Sequence, residues 1–146
     1  MTLFVTALWV LALGGALSWC FRNAGPSAKW LSPASAMVGC ALGFFSVAPA
    51  LFDGGGFSAS LKWGFPIATF ALGTDALSAL FLAILFALGA VTALFGAGYL
   101  RNAARPARAA ASWLGFNLLL VSMALALVSR HALLFLAAWE GMTVAS

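Results

Sequence analysis

Five apolar runs, separated by short polar or glycine-rich connections, set the organisation of this chain. A transmembrane helix needs roughly 20 apolar residues to cross a hydrocarbon core about 30 Å thick. The runs at 2–21, 33–52, 75–100 and 109–128 have that length, and a fifth begins at 131 and is still apolar at Ser146. The pattern predicts an all-α fold, a polytopic helical membrane bundle of about five transmembrane helices with the last one truncated. The first run has the length of a secretory signal, and LSWC has the outline of a lipoprotein cleavage site. No Lys or Arg precedes it, however, and Trp19 fills the position that needs a small side chain, so it is expected to remain as a helix.

The connections carry two local signals. Between the second and third runs, Gly54, Gly55 and Gly56 break helix, and SLKW and PIATF then read as extended segments, which predicts a short hairpin or loop at the membrane surface. Between the third and fourth runs, RNAARPARAA places Arg101, Arg105 and Arg108 around Pro106, read as a helix breaker in a basic loop.

Composition sharpens the class. Hydrophobic residues make up 64% of the chain and charged residues 7%, with a mean hydropathy of +1.09. Soluble domains carry about 25% charged residues, so a soluble core of this kind has too little polar surface to cover it. The net charge of +4 lies between the apolar runs rather than in a patch, which reads as a topology signal and gives no reason to expect a nucleic-acid partner. Arg22, Lys29, Arg101, Arg105 and Arg108 fall in the first and third connections, and Lys62 and Arg130 in the second and fourth. The positive-inside rule then places the odd connections in the cytoplasm and the N-terminus and Gly-rich loop outside. Cys20 and Cys40 have no CxxC and no ligand cluster nearby and read as small packing residues. No cofactor or metal site is expected.

One residue stands against the apolar background. Glu140 is the only carboxylate inside an apolar run. An ionisable side chain at the bilayer centre costs roughly 2.5 to 3.5 kcal/mol on insertion scales, so such groups face a bundle interior, a partner or a water path. At 1.5 Å per residue from His131, Glu140 lies about 13 Å deep, close to the midplane. A carboxylate removed from water favours its protonated form, and a nearby Lys or Arg favours the charged one, so a movable basic partner makes such a residue a switchable proton site. The alternative is a protonated acid hydrogen-bonded to a neighbouring helix, with Thr143, Ser122 or Asn117 as partners. Every Lys and Arg here lies at a helix end or in a loop, so a basic partner has to come from elsewhere.

RHALLFLAAWEGMTVAS resembles the fifth-helix signature of the antiporter-like membrane subunits shared by respiratory complex I, Mrp sodium/proton antiporters and membrane-bound NiFe hydrogenases. TDALSALFLAILFALGAVTALFGAGYL is similar to the third helix of that family, through Asp75, Leu77, Ser78, Gly98 and Tyr99. The two stretches cover roughly the latter half of the chain. The short arginine-rich third connection and the wording LLFLAAWE look closer to the hydrogenase-4 or formate hydrogenlyase branch; subunits of NADH:quinone oxidoreductase and of Mrp antiporters share the same glutamate. The resemblance implies a proton or cation translocation module in a redox-driven complex, with Glu140 on the proton path. It also implies other membrane subunits and a peripheral redox arm as partners besides the lipid bilayer, and a bacterial inner (plasma) membrane location. The chain departs from the pattern at Gly141, where Leu is common, and at Thr143, where Ser is common; Gly141 leaves room that is expected to widen local water access. Family members have about a dozen or more helices, including one that carries a lysine partner for the glutamate. Residues 1–146 are therefore expected to form a single membrane domain, the N-terminal part of a longer subunit. A small structural scaffold with no transport is the reading from a different class.

Three further features are weighed against plainer roles. His131, near the outer surface, is a candidate proton-path residue or an ordinary interfacial histidine. Asp75 is read as a helix-start residue that meets the N-terminal dipole. Gly39 and Gly43 form a GxxxG that permits close helix packing, and Trp9, Trp19, Trp30, Trp63 and Trp113 are expected to be interfacial anchors.

Overall fold

The computed structural model describes residues 1–21, 30–52, 55–62, 69–100 and 106–146. Among them are five helices and one two-stranded sheet: α1 (Thr2–Cys20), α2 (Leu31–Phe52), β1 (Ser58–Lys62), β2 (Thr69–Gly73), α3 (Ala76–Leu100), α4 (Pro106–Val128) and α5 (Ala132–Ala145). The expected helix count and the expected hairpin are both present. Four helices are long and apolar enough to cross a membrane, and α5, with 14 residues, rises about 21 Å. The fold is an all-α helical membrane bundle.

Helix starts differ from the sequence reading for a local reason. Pro106 opens α4 instead of breaking the chain before it, and α2 begins ahead of Pro33. The first turn of a helix has no carbonyl to receive its N–H groups, so a proline there gives up no bond and supplies a φ already suited to helix. Asp75 lies one residue outside α3 and His131 one residue outside α5, each as its cap.

The helices are apolar all round, so side-chain size rather than polarity marks the inward face. In α1 the buried residues are Phe4, Ala7, Leu11, Gly14, Gly15 and Ser18, and in α3 they are Ala79, Leu82, Ala83, Phe86, Gly89 and Ala93. Both sets recur at helical spacing and are rich in small residues, while Leu80, Ile84, Leu88, Val91 and Phe95 of α3 stay exposed. In a bilayer, association rests on close van der Waals packing, and small residues let helices approach. The glycine pair of α2 does this in two directions. A Cβ at Gly39 would lie 2.6 Å from Leu11 of α1, and one at Gly43 would lie 2.6 Å from the ring of Phe86 in α3. Helix α1 packs on α2 and α4, α2 on α3, and α5 chiefly on α4.

Strands β1 and β2 pair antiparallel, with Ser58 opposite Gly73 and Lys62 opposite Thr69. The hairpin is tied to the bundle at its base. Phe57 N–H donates to Thr74 Oγ1 at 3.0 Å, Thr74 N–H donates to the Phe57 carbonyl at 2.9 Å, and the Phe57 ring lies 5.4 Å from that of Phe4. The α4–α5 connection runs alongside through a bridge between Leu72 and Ser129. The second and fourth connections therefore share one end of the bundle, as alternating spans require.

Two packing expectations are settled here. Cys40 is buried in the core, whereas Cys20 is exposed. Trp113 is buried at 6% exposure, under Gly96 and against Phe116, so it is a core residue and not an interfacial anchor. Trp9, Trp19 and Trp30 are exposed. Arg22, Lys29, Trp63, Arg101 and Arg105 lie outside the described residues.

Candidate functional site

Helix α5 has two distinct faces. Ala138, Gly141 and Ala145 recur at helical spacing; Ala138 is buried, and the other two meet α4, where a Cβ at Gly141 would lie 2.6 Å from Ser122 Oγ and one at Gly115 would lie 2.9 Å from the Ala145 carbonyl oxygen. The seam is made of small residues. The expectation that Gly141 widens water access is therefore corrected, because the space that a larger side chain would occupy is filled by Ser122.

Glu140 stands next to this seam and is turned away from it. One residue along an α-helix is a rotation of about 100°, which carries the carboxylate to a flank shared with Leu133, Leu136 and Val144, all exposed. Glu140 is itself exposed. No hydrogen bond or ion pair to Glu140 is found among the described residues. The three side chains considered as its partners are engaged elsewhere or face elsewhere. Thr143 Oγ1 donates to the Trp139 carbonyl at 3.3 Å, Ser122 faces Gly141, and Asn117 Nδ2 donates to Ser32 Oγ at 3.0 Å and to the Trp113 carbonyl at 2.9 Å.

The depth of Glu140 follows from its neighbours. Ser122, opposite Gly141, is two residues from Leu120, and a Cβ at Gly89 would lie 3.0 Å from both Leu120 Cδ2 and Cys40 Sγ. Gly89 and Cys40 lie near the midpoints of α3 and α2. The carboxylate is level with the middle of the bundle, on its lateral surface.

His131 and Asp75 lie at the end of the bundle that carries the hairpin. Leu133 N–H donates to His131 Nδ1 at 3.3 Å, so the imidazole caps α5. Nine residues of helix, about 13 Å of rise, separate it from Glu140, and the two are not brought together. Asp75 caps α3, accepting from Ser78 N–H at 2.8 Å through Oδ1, while Oδ2 pairs with Arg130 Nη2 at 3.1 Å. The bond from Ser78, then the pairing with Arg130, holds the Asp75 carboxyl down from 3.8 to about 2. In the sequence Arg130 counts only as a loop charge; the available signal for its pairing is an acidic residue opening one helix and a basic residue following another on the same side. No group of three or more His, Cys, Asp or Glu comes together among the described residues.

No family model and no curated protein matches the chain. Among solved structures, the fold is similar to a chain in the structure of the membrane-bound sulfane sulfur reductase (MBS), an archaeal respiratory membrane complex. The TM-score is 0.74 with 24% sequence identity over 95% of this chain, which spans 21% of the length of that one. At that identity the likeness is one of fold.

Proposed function

We propose that this chain is a proton or cation translocation module of a redox-driven membrane complex, of the hydrogenase-4 or formate hydrogenlyase kind, and that Glu140 is its proton-path residue. The observation that carries this reading is the placement of Glu140: a carboxylate level with the middle of a membrane bundle, on an apolar flank, with no partner among the described residues. An ionisable group in that position calls for a counterpart or a water path beyond the flank, and both are what a proton-transfer step uses. The wording of the third and fifth helices and the fold shared with a chain of a respiratory membrane complex support the same conclusion. Residues 1–146 then serve as the N-terminal part of a longer subunit in a bacterial inner membrane, N-terminus outside, against other membrane subunits and a peripheral redox arm.

Thr143, Ser122 and Asn117, the partners considered within this chain for the scaffold reading, do not hold Glu140. The test is Glu140→Gln in the assembled complex, with proton movement measured per redox turnover; loss of proton movement with assembly retained is the expected result.

A further inference from the structure

We infer that the junction between Asp75 and Arg130 is a positioning device for the helix that carries Glu140. The inference rests on the proton-path reading of Glu140, and it concerns residues that touch neither the ion nor the carboxylate. Helix α5 packs chiefly on α4, through a seam that includes Gly141 and Ala145. Small residues allow close approach and set which face is packed, but they supply few interlocking side chains to oppose sliding along the helix axis. The axial position of α5 must be fixed somewhere else.

The fixing contacts converge on three residues at its start. Ser129 bridges to Leu72 of β2, Arg130 N–H donates to the Ala71 carbonyl at 2.9 Å, and His131 caps α5. The Arg130 side chain crosses Gly73, where a Cβ would lie 3.0 Å from Nε and 3.1 Å from Cγ, and reaches Asp75 at 3.1 Å. The other oxygen of Asp75 is bound to Ser78 N–H at the start of α3. One carboxylate thus joins the beginning of α3 to the residue before the cap of α5. Exposure of 45% and 55% at the two side chains makes the pair a weak source of stability. Its geometric effect is separate: a helix moves as a stiff unit, so its start sets where Glu140 lies.

The experiment uses the complete subunit in its complex, reconstituted in vesicles. Asp75→Asn keeps an acceptor for Ser78 N–H and removes the charge, Arg130→Gln removes the other charge, and Arg130→Lys restores it. Spin labels at the exposed positions Leu136 and Val91 report the distance between α5 and α3. For Asp75→Asn and Arg130→Gln the expected results are a broadened label distance, proton movement per turnover reduced on the order of tenfold, and a displaced pH profile for it, since misplacement of about 1 Å can cost far more. Arg130→Lys should recover most of both. A label distance and pH profile superimposable on those of the unaltered protein would overturn the positioning role. If Glu140→Gln leaves proton movement intact, the proton-path reading fails, and the label distance alone then decides whether the junction positions α5.

Discussion

Gly141 of α5 lies so close to Ser122 of α4 that a methyl group in its place would meet Ser122 Oγ at 2.6 Å. This contact fixes the rotation of α5, and the rotation in turn sends the preceding residue, Glu140, to the exposed flank. The functional reading depends on that direction, because the same carboxylate turned toward α4 would meet Ser122 and read as interhelical glue.

The same small-residue packing makes glycine substitutions unequal. Gly43 faces the fully buried ring of Phe86 at 2.6 Å from an added Cβ, whereas among the described residues nothing lies within 4 Å of one at Gly98. Gly43→Ala should destabilise the protein by about 1 to 3 kcal/mol through overpacking. Gly98→Ala should be neutral or stabilising by about 0.5 to 1 kcal/mol, because alanine loses less backbone entropy in a helix. Thermal unfolding in detergent distinguishes the two, and equal effects would contradict the packing described.

Asp75 sets a pH dependence at the hairpin end. Its carboxyl is held down from 3.8 to about 2 in the folded chain, so its contribution is present above pH 3.8 and is lost as the pH falls through about 2. Asp75→Asn keeps a cap acceptor but cannot titrate. Melting temperatures of Asp75→Asn and the unaltered protein should therefore converge as pH falls from about 4 to about 2. A constant gap across that window would show that the carboxylate is not stabilised where the structure places it.

Asn117 carries a buried carbonyl oxygen with no hydrogen-bond partner among the described residues. The orientation of its amide is set by the Trp113 carbonyl, which accepts from Nδ2 and would repel Oδ1. Asn117→Ala removes the bonds to Ser32 and to the Trp113 carbonyl, worth roughly 0.5 to 1.5 kcal/mol each. It also removes the orphaned oxygen, whose burial costs roughly 1 to 3 kcal/mol. The two effects offset, and chemical denaturation should show a change within about 1 kcal/mol. A large loss would mean that Oδ1 has a partner, such as a bound water.

Run lengths and the three adjacent glycines were enough to read the helix count and the hairpin, because membrane thickness and helix breaking act locally. The placement of Trp113 was not legible, since its burial depends on Gly96 from another helix. The direction of Glu140 was hidden for a related reason: α5 is apolar on every side, so hydrophobic periodicity cannot separate its packed face from its exposed one. Residue size was the available signal. Ala138, Gly141 and Ala145 repeat at helical spacing and mark the packed face in the sequence itself.

Topology can be tested at two exposed sites, Ser58 in the hairpin and Ala107 at the start of α4. The distribution of Lys and Arg predicts Ser58 outside and Ala107 in the cytoplasm. In intact cells, an impermeant thiol reagent should label Ser58→Cys and spare Ala107→Cys. The reverse pattern would invert the bundle.

Proton movement in the assembled complex, reconstituted in vesicles and followed with a pH-sensitive dye during turnover, tests the role of Glu140 most directly. Glu140→Gln keeps size and hydrogen-bonding capacity but cannot titrate, and should reduce protons moved per turnover while the complex still assembles. Glu140→Asp should be milder, because the carboxylate survives with a shorter reach. Unchanged proton movement per turnover in Glu140→Gln would contradict the proton-path role and leave the flank of α5 as a packing surface only.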